Sequence, residues 1–178
     1  TPWEDRWKEG RTTFHLGAAH QSLVRFAAEL RVSGARALVP LCGKAVDLRW
    51  LAEAGATVVG VDGVQTALDE FVAEQSARVV ATEGPRHTVA FENGAVDYVV
   101  GDFFGVDLGT FDVAFDRGGL VAVELDCQEA YVATLARSKK PGGRILLVAT
   151  EQSPFVAPVP KLGPPYSMTE SHLRQLVT

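Results

Sequence analysis

The chain has 178 residues, which fits one domain with a substantial core, and 47% of them are hydrophobic, as in ordinary globular proteins. Its net charge is −5 and no stretch is dominated by Lys or Arg, which argues against nucleic acid as a partner. No apolar run approaches the ~18 residues that span a bilayer, and no signal-like segment opens the chain. Cys42 and Cys127 form neither a disulfide framework nor a CxxC pair, so we expect a reduced, cytoplasmic setting without metal or membrane partner.

Helices and strands alternate along the first half of the chain. Apolar residues at helical spacing predict a helix over 18–31, which ends at Ser33-Gly34. The elements predicted after it are a buried strand over 37–41, a helix over 46–54, a buried strand over 57–61 and a helix over 65–75.

The second half continues this alternation. Asn93-Gly94 predicts a hairpin between strands over 87–92 and 95–100. The later elements predicted are a strand over 111–115, a helix over 126–138, a turn at Pro141-Gly142-Gly143, a strand over 144–150, a proline-rich loop over 151–167 and a helix over 169–177. For the helix over 126–138, Asp126 is the predicted N-cap, with Glu129 completing a capping box. Solidly apolar strands that alternate with helices predict one α/β domain over 1–178, with a parallel sheet covered on both faces.

A glycine turn and an acid mark a candidate cofactor site. Gly43 follows the first predicted strand, and Asp62 follows the second, 19 residues later. In nucleotide-binding α/β units the acid that holds a ribose lies about 20 residues beyond the glycine turn. The second and third glycines of the dinucleotide pattern are missing, which argues against an NAD-dependent oxidoreductase and favours a cofactor without phosphates, such as S-adenosylmethionine. Alternatively, Gly43 only ends a strand and Asp62 only caps the next helix.

Two further acids follow predicted strands. Gly101-Asp102 precedes two phenylalanines, and an acid beside aromatic rings suits an adenine; the alternative is a solvated turn.

Asp116 and Arg117 end another strand, at the sheet edge where open α/β sheets bind ligands. Arg117 offers a fork of donors to a carboxylate. The alternative is a surface ion pair between Asp116 and Arg117.

The remaining polar and aromatic candidates have two interpretations each. Trp3 and Trp7, four residues apart, form either the packing face of a helix or a lid over a cofactor. His15 and His20 are either acceptor-site bases or hydrogen-bonded structural residues, and the second role is favoured. Cys42 has no His and acid partners in the sequence pattern, so it is interpreted as a packing residue.

Four segments together carry a family resemblance. They are Trp3-x3-Trp7-x2-Gly10-x-Thr12-x-Phe14-His15, Pro40-Leu41-Cys42-Gly43-Lys44-Ala45-Val46-Asp47-Leu48, Asp116-Arg117-Gly118-Gly119-Leu120-Val121-Ala122 and Gly163-Pro164-Pro165-Tyr166. The chain resembles the thiopurine S-methyltransferase family of class I S-adenosylmethionine-dependent methyltransferases over nearly its whole length.

The resemblance implies a doubly wound, Rossmann-like sheet of seven strands, mostly parallel, with an N-terminal lid over S-adenosylmethionine. Arg117 would be the catalytic residue, and Phe14 and Arg117 would contact the substrate. The cofactor-binding residues implied are Trp3, Trp7, Phe14, Leu41, Gly43, Asp62, Gly101, Asp102 and Arg117.

The sequence departs from this family pattern in two ways. The fold would close with an antiparallel strand pair after the last helix, whereas the sequence ends at Thr178, so we expect these strands to be missing from the sequence given and present in the protein. The stretch over 76–86 is shortened, which would change the acceptor site.

The expected reaction is in-line transfer of a methyl group from the sulfonium of S-adenosylmethionine to a thiopurine or another aromatic or heterocyclic thiol. One alternative is a halide, small-thiol or metalloid methyltransferase of the same family, and another is a non-catalytic relative that binds the cofactor. The expected partner is a small-molecule thiol, and the protein is expected to be a monomer.

Overall fold

The computed structural model of the protein describes residues 2–152 and 163–177, and its centre is one seven-stranded sheet. The strands are β1 (Arg36–Pro40), β2 (Thr57–Asp62), β3 (Arg78–Glu83), β4 (Arg86–Phe91), β5 (Gly94–Val100), β6 (Phe111–Arg117) and β7 (Lys139–Val148). They lie in the order β3-β4-β5-β2-β1-β6-β7. Every pairing is parallel except the two made by β4, so the predicted mostly parallel sheet is confirmed.

Helices connect most of the parallel strands. The α-helices in the described part of the chain are α1 (Pro2–Lys8), α2 (Gln21–Leu30), α3 (Asp47–Glu53), α4 (Gln65–Glu74), α5 (Gly119–Ala122), α6 (Gln128–Ser138) and α7 (Glu170–Leu176), and a 3₁₀ turn spans Leu125–Cys127. The predicted helices over 18–31, 46–54, 65–75 and 169–177 are confirmed to within three residues at each end.

The core lies on both faces of the sheet. Successive side chains of a strand point to opposite faces. In β2, Val58 accordingly packs with Leu23 and Phe71, whereas its neighbour Val59 packs in a second cluster with Tyr131. The sheet is therefore doubly wound, as its solidly apolar strands predict. From β1 the chain continues to β2 on one side, and from β5 it crosses to β6 on the other side of β1, which places a topological switch point between β1 and β6.

Two local predictions need correction. Asp126 does not cap α6, because it lies in the 3₁₀ turn before the helix and the N-cap is Cys127, which makes no side-chain capping bond. The predicted turn at 141–143 is instead part of β7, whose register with β6 shifts between Phe111 and Val113. The extra residues form a bulge there, and Gly142 supplies its positive φ of 77°.

The hairpin region contains one strand more than predicted. The Asn93-Gly94 dipeptide joins β4 to β5, as its type indicates. The shortened stretch over 76–86, for which no element was predicted, contains β3 at the edge of the sheet. Every residue of β3 is exposed, so its strand conformation depends on pairing with β4 and not on burial.

After β7, the described residues are 149–152 and 163–177. Pro154, Pro158 and Pro160 of the predicted loop lie outside the described residues, whereas Gly163–Met168 is irregular and precedes α7. In the described ranges no strand follows Val148, so the predicted closing strand pair has no counterpart there. Across residues 2–152 and 163–177, no helix combines the length and apolar character needed to cross a bilayer.

Candidate functional site

The carboxyl ends of four neighbouring strands meet at one edge of the sheet. Pro40 of β1 is paired with Val61 of β2, and Asp62 is paired with Val100 of β5. The predicted residues that follow these strand ends are therefore brought together: Leu41, Gly43, Asp62, Gly101, Asp102 and Arg117. This edge is the one at which open α/β sheets bind ligands.

The turn after β1 has an unusual backbone. Leu41 has a φ of 44° and Gly43 a φ of 51°, both in the left-handed region. At Gly43 a Cβ would also collide with Nε2 of His15 and approach Trp7 to 3.3 Å. Gly43 is therefore required both by the backbone conformation and by the close approach of the N-terminal segment. The interpretation that Gly43 only ends a strand does not account for this approach.

Asp62 is a buried acid that binds two backbone amides. Gly43 N–H donates to its Oδ2 at 2.8 Å and Val64 N–H donates to its Oδ1 at 3.0 Å. The side chain does not cap α4, whose N-cap is Val64 and lacks a side-chain bond. Burial raises the pKa of Asp62, and the amides of Gly43, Val64 and Gly63 oppose the shift. The carboxylate can accept about four hydrogen bonds, so it keeps capacity for a ligand.

Two more side chains hold the turn from other elements. The hydroxyl of Tyr98, fully buried on β5, donates to the carbonyl oxygen of Gly43 at 2.8 Å. Nζ of Lys44 binds Glu70 at 2.7 Å and Glu74 at 2.6 Å, which ties the turn to α4. The turn is thus held by β5 through Tyr98 and by α4 through the ion pairs of Lys44. The sequence pattern did not indicate a role for Tyr98 or Lys44.

The N-terminal segment brings its predicted aromatic residues together beside this turn. Phe14 packs edge-on against Trp3 at 5.8 Å and against Trp7 at 6.3 Å between ring centroids. Trp7 is only 4% exposed, whereas Phe14 is 39% exposed. We call Trp3, Trp7, Phe14 and His15 the aromatic cluster. The cluster lies beside the turn that follows β1, and the buried Trp7 packs there as the packing-face interpretation requires. Use of the cluster as a lid over a cofactor stays a prediction.

The two histidines considered as bases are hydrogen-bonded within the fold. His15 Nε2 accepts the backbone N–H of Lys44 at 3.0 Å. Nδ1 of His20, the N-cap residue of α2, accepts Ser22 N–H at 3.2 Å, and the backbone N–H of His20 donates to Oδ1 of Asp47 at 2.7 Å. Both positions match the structural role favoured from the sequence.

Asp116 and Arg117 do not form the surface ion pair considered as an alternative. Asp116 is fully buried and accepts bonds from Tyr131 Oη at 2.9 Å and Gly119 N–H at 2.8 Å. Burial raises the pKa of Asp116 to about 6. Arg117 is half-buried at the sheet edge. Burial lowers the pKa of His15, and the Arg117 charge adds to that shift, whereas burial raises the pKa of Asp47, and the Arg117 charge partly opposes it. Within residues 2–152 and 163–177, no side chain forms a hydrogen bond or ion pair with the Arg117 guanidinium.

The segment after β5 adds a mixed polar and aromatic wall. Gly101 N–H donates to the carbonyl oxygen of Asp62 at 2.9 Å, which joins the ends of β2 and β5. Asp102 is exposed, and its Oδ1 accepts Phe104 N–H at 3.1 Å in a turn. Phe103 is buried against Tyr131 at 5.0 Å between ring centroids. Asp102 therefore has the turn geometry of the alternative interpretation, while its Oδ2 makes no hydrogen bond to the described residues.

Comparison with curated proteins gives relatives over the whole chain. The thiopurine S-methyltransferase family model matches residues 1–178. A thiopurine S-methyltransferase of Photobacterium profundum is 35% identical over 177 residues, which cover 98% of this chain and 80% of that protein.

Solved structures share the fold at lower identity. The 1,6-didemethyltoxoflavin-N1-methyltransferase of Burkholderia thailandensis, with bound 1,6-didemethyltoxoflavin and S-adenosylhomocysteine, is 20% identical with a TM-score of 0.69, covering 99% of this chain and 72% of that chain. The magnesium protoporphyrin IX methyltransferase of Synechocystis PCC 6803, with bound S-adenosylmethionine, is 18% identical with a TM-score of 0.63, covering 87% of this chain and 62% of that chain. With the family match over the full length, this chain belongs to the thiopurine S-methyltransferase family of S-adenosylmethionine-dependent methyltransferases.

Proposed function

We propose that this protein transfers the methyl group of S-adenosylmethionine to a small thiol acceptor at the carboxyl edge of its sheet. The observation that carries the proposal is the convergence there of the 41–44 turn, Asp62, Arg117 and the aromatic cluster. Relatives named thiopurine S-methyltransferase, such as that of Vibrio cholerae at 33% identity, support the choice of a thiol.

The residues at this edge fit the cofactor. Asp62 keeps acceptor capacity beyond the amides that hold it, which suits the hydroxyls of a ribose. Leu41 provides apolar surface at the end of β1, and Gly101 and Asp102 follow β5, where they would border the adenine. Trp3, Trp7 and Phe14 would cover the bound cofactor and exclude water.

The proposed chemistry needs orientation more than proton transfer. When bound, the cofactor supplies an already activated methyl group on a sulfonium. An aromatic thiol ionises readily near neutral pH, so a strong general base is unnecessary. Alignment of the acceptor with the methyl group can supply roughly 7–11 kcal/mol. His15 is unsuited to act as a base, because its ring is engaged with Lys44 and Thr12.

Arg117 is the residue proposed to act on the acceptor. Its guanidinium is always charged and offers five donors in a fixed plane. It lies within electrostatic reach of His15 and Asp47, next to the aromatic cluster. A cation at this position would favour the thiolate over the thiol, or hold an anionic group of the acceptor, while Phe14 packs on the acceptor ring.

An acceptor competition assay tests this proposal. The protein is incubated with S-adenosylmethionine and a thiopurine, bisulfide or iodide, and formation of S-adenosylhomocysteine is measured. We expect the highest kcat/KM with the aromatic thiol. A preference for iodide or bisulfide would overturn the thiol assignment in favour of a halide or small-thiol methyltransferase. Cofactor binding without transfer to any acceptor would indicate a non-catalytic relative.

A further inference from the structure

Both ring nitrogens of His15 have partners. Nε2 lies 3.0 Å from the backbone nitrogen of Lys44, and Nδ1 lies 3.2 Å from the carbonyl oxygen of Thr12. A backbone N–H can only donate, so Nε2 must be the acceptor. The ring proton is therefore on Nδ1, from which it is donated to Thr12. The geometry defines a neutral imidazole with a fixed tautomer.

The imidazole lies between the N-terminal segment and the turn after β1. Its ring centroid is 4.5 Å from that of Phe14 and 5.3 Å from that of Trp7. On its other side it approaches Gly43 so closely that a Cβ there would collide with Nε2. In the described part of the chain, this hydrogen bond is the direct polar link between the aromatic cluster and the backbone of the turn.

The neutral state of His15 has a physical cause. The pKa of His15 is lowered to about 4, chiefly by burial, with the charges of Lys44 and Arg117 adding to the decrease and the Thr12 carbonyl and Glu74 opposing it. Protonation would place a hydrogen on Nε2 facing the Lys44 N–H, so the charged form cannot make the bond.

We propose that His15 is a positioning residue, which docks the aromatic cluster on the cofactor-binding turn by accepting the Lys44 N–H as a neutral imidazole. The effect on catalysis rests on the proposed function, since the cluster covers the cofactor only if the cofactor binds at this turn. The docking itself is a property of the chain alone and is measured without ligand.

The test compares His15→Gln with His15→Leu. The side-chain amide of Gln reaches the position of Nε2 with an oxygen that can accept the Lys44 N–H, whereas Leu fills similar space without an acceptor. Both changes are made in a Trp50→Phe background, so that emission comes from Trp3 and Trp7. His87→Leu is the matched control, because His87 lies on β4 and, among the described residues, its side chain hydrogen-bonds only Thr82.

Docking is measured by acrylamide quenching of the tryptophan emission, and binding by calorimetry with S-adenosylhomocysteine. In His15→Leu we expect quenching to rise severalfold, because Trp7 loses its protection. We expect the dissociation constant to rise about tenfold, as when a donor is left without its acceptor. In His15→Gln and His87→Leu both quantities should stay near those of the parent, and circular dichroism should be unchanged in all variants.

The outcomes separate a docking role of the Nε2 acceptor from a purely steric role of the ring. Quenching in His15→Leu equal to the parent would overturn the proposal, because the cluster would then be held without the bond. Equal quenching in His15→Gln and His15→Leu, both above the parent, would also overturn it, because ring shape and not the acceptor would matter. If the parent binds no S-adenosylhomocysteine, the proposed function fails, while the quenching comparison still decides the docking role.

Discussion

The backbone N–H of Gly43 donates to Oδ2 of Asp62 at 2.8 Å, so the acid that ends β2 fixes the turn that follows β1. The same carboxylate also accepts Val64 N–H at 3.0 Å. A residue proposed to bind the ribose is thus oriented by two amides of its own chain. Such prior orientation reduces the conformational freedom that the site loses when a ligand binds.

Replacement of Asp62 should weaken cofactor binding. In Asp62→Ala we expect the dissociation constant of S-adenosylhomocysteine to rise by roughly 10- to 100-fold, because hydrogen bonds to a charged group are lost. The Gly43 and Val64 amides also lose their acceptor, so a lower melting temperature is expected as well.

The control for this change is Asp107→Ala. Asp107 accepts Gly109 N–H at 2.9 Å in a similar turn, in a loop whose Leu108 carbonyl bonds Arg36 at the start of β1. This loop therefore lies near the opposite edge of the sheet, and its variant should bind the ligand normally. Unchanged affinity in Asp62→Ala would remove the ribose assignment.

Alanine substitutions at two glycines separate the stability cost of backbone strain from the cost of a steric collision. Gly43 and Gly84 have φ values of 51° and 56°, but a Cβ meets His15 only at Gly43, and at Gly84 it meets nothing within 4 Å. Gly84→Ala should therefore cost about 1–2 kcal/mol of unfolding free energy from the left-handed backbone alone. Gly43→Ala should cost more and should also weaken S-adenosylhomocysteine binding, as measured by urea denaturation and calorimetry. Equal losses of stability would contradict the close approach of His15.

Arg117 should affect turnover. In Arg117→Ala we expect kcat/KM for the thiol acceptor to fall by about 10- to 100-fold, since a charge that stabilises the thiolate is removed. Arg117→Lys should recover only part of the activity, because an ammonium lacks the planar donor fork. Arg86→Ala is the control: Arg86 forms a half-buried ion pair with Asp97 on the hairpin, away from the carboxyl ends of β1 and β6. Full activity in Arg117→Ala would contradict the proposed role.

The neutral imidazole of His15 should make stability depend on pH. The pKa of His15 is about 4 in the folded protein and 6.5 in the unfolded chain, because burial disfavours the charged form. Between these values the unfolded chain binds more protons, so the free energy of unfolding should fall as pH falls from 6.5 toward 4. Lys44, Arg117 and Glu74 are the charged groups that face His15. Urea denaturation of the parent should show this decline more steeply than that of His15→Gln, and parallel profiles would contradict it.

Asp116 should change the pH dependence of stability in the direction opposite to that of His15. Its pKa is about 6 in the folded protein against an ordinary value of 3.8, so the folded state binds more protons between these values. The contribution of Asp116 to stability should therefore increase as pH falls from 6 to 3.8. In Asp116→Asn the amide can still pair with Gly119 and Tyr131, so the variant should fold. The stability of the parent relative to this variant should rise over that range, and a constant difference would contradict a raised pKa.

Much of the fold could be predicted from short-range patterns. The apolar runs of β1 and β2 and the Asn93-Gly94 turn are local features, and each has the predicted structure. The edge strand β3 was missed because all its residues are exposed, so burial leaves no pattern in its sequence. The cap predicted at Asp126 was wrong because a 3₁₀ turn precedes α6 and moves the helix start to Gln128.

The sequence predicted where the site residues lie in the fold, but not the contacts that they make. The order of strands explains why Asp62 and Arg117 lie at one edge, and this follows from the parallel topology. The bonds from Tyr98 to Gly43 and from Lys44 to His15 join residues that are 55 and 29 positions apart. Such contacts depend on how β5 and the N-terminal segment pack, which spacing in the sequence does not encode. For the same reason, burial of Asp116 was not anticipated.

The most direct test of the proposed cofactor site is calorimetric titration of the protein with S-adenosylhomocysteine, alongside Asp62→Ala. We predict saturable one-to-one binding that Asp62→Ala weakens strongly while its circular dichroism stays that of the folded protein. Absence of binding, in protein that unfolds cooperatively and is therefore folded, would contradict a cofactor site at the carboxyl edge of the sheet.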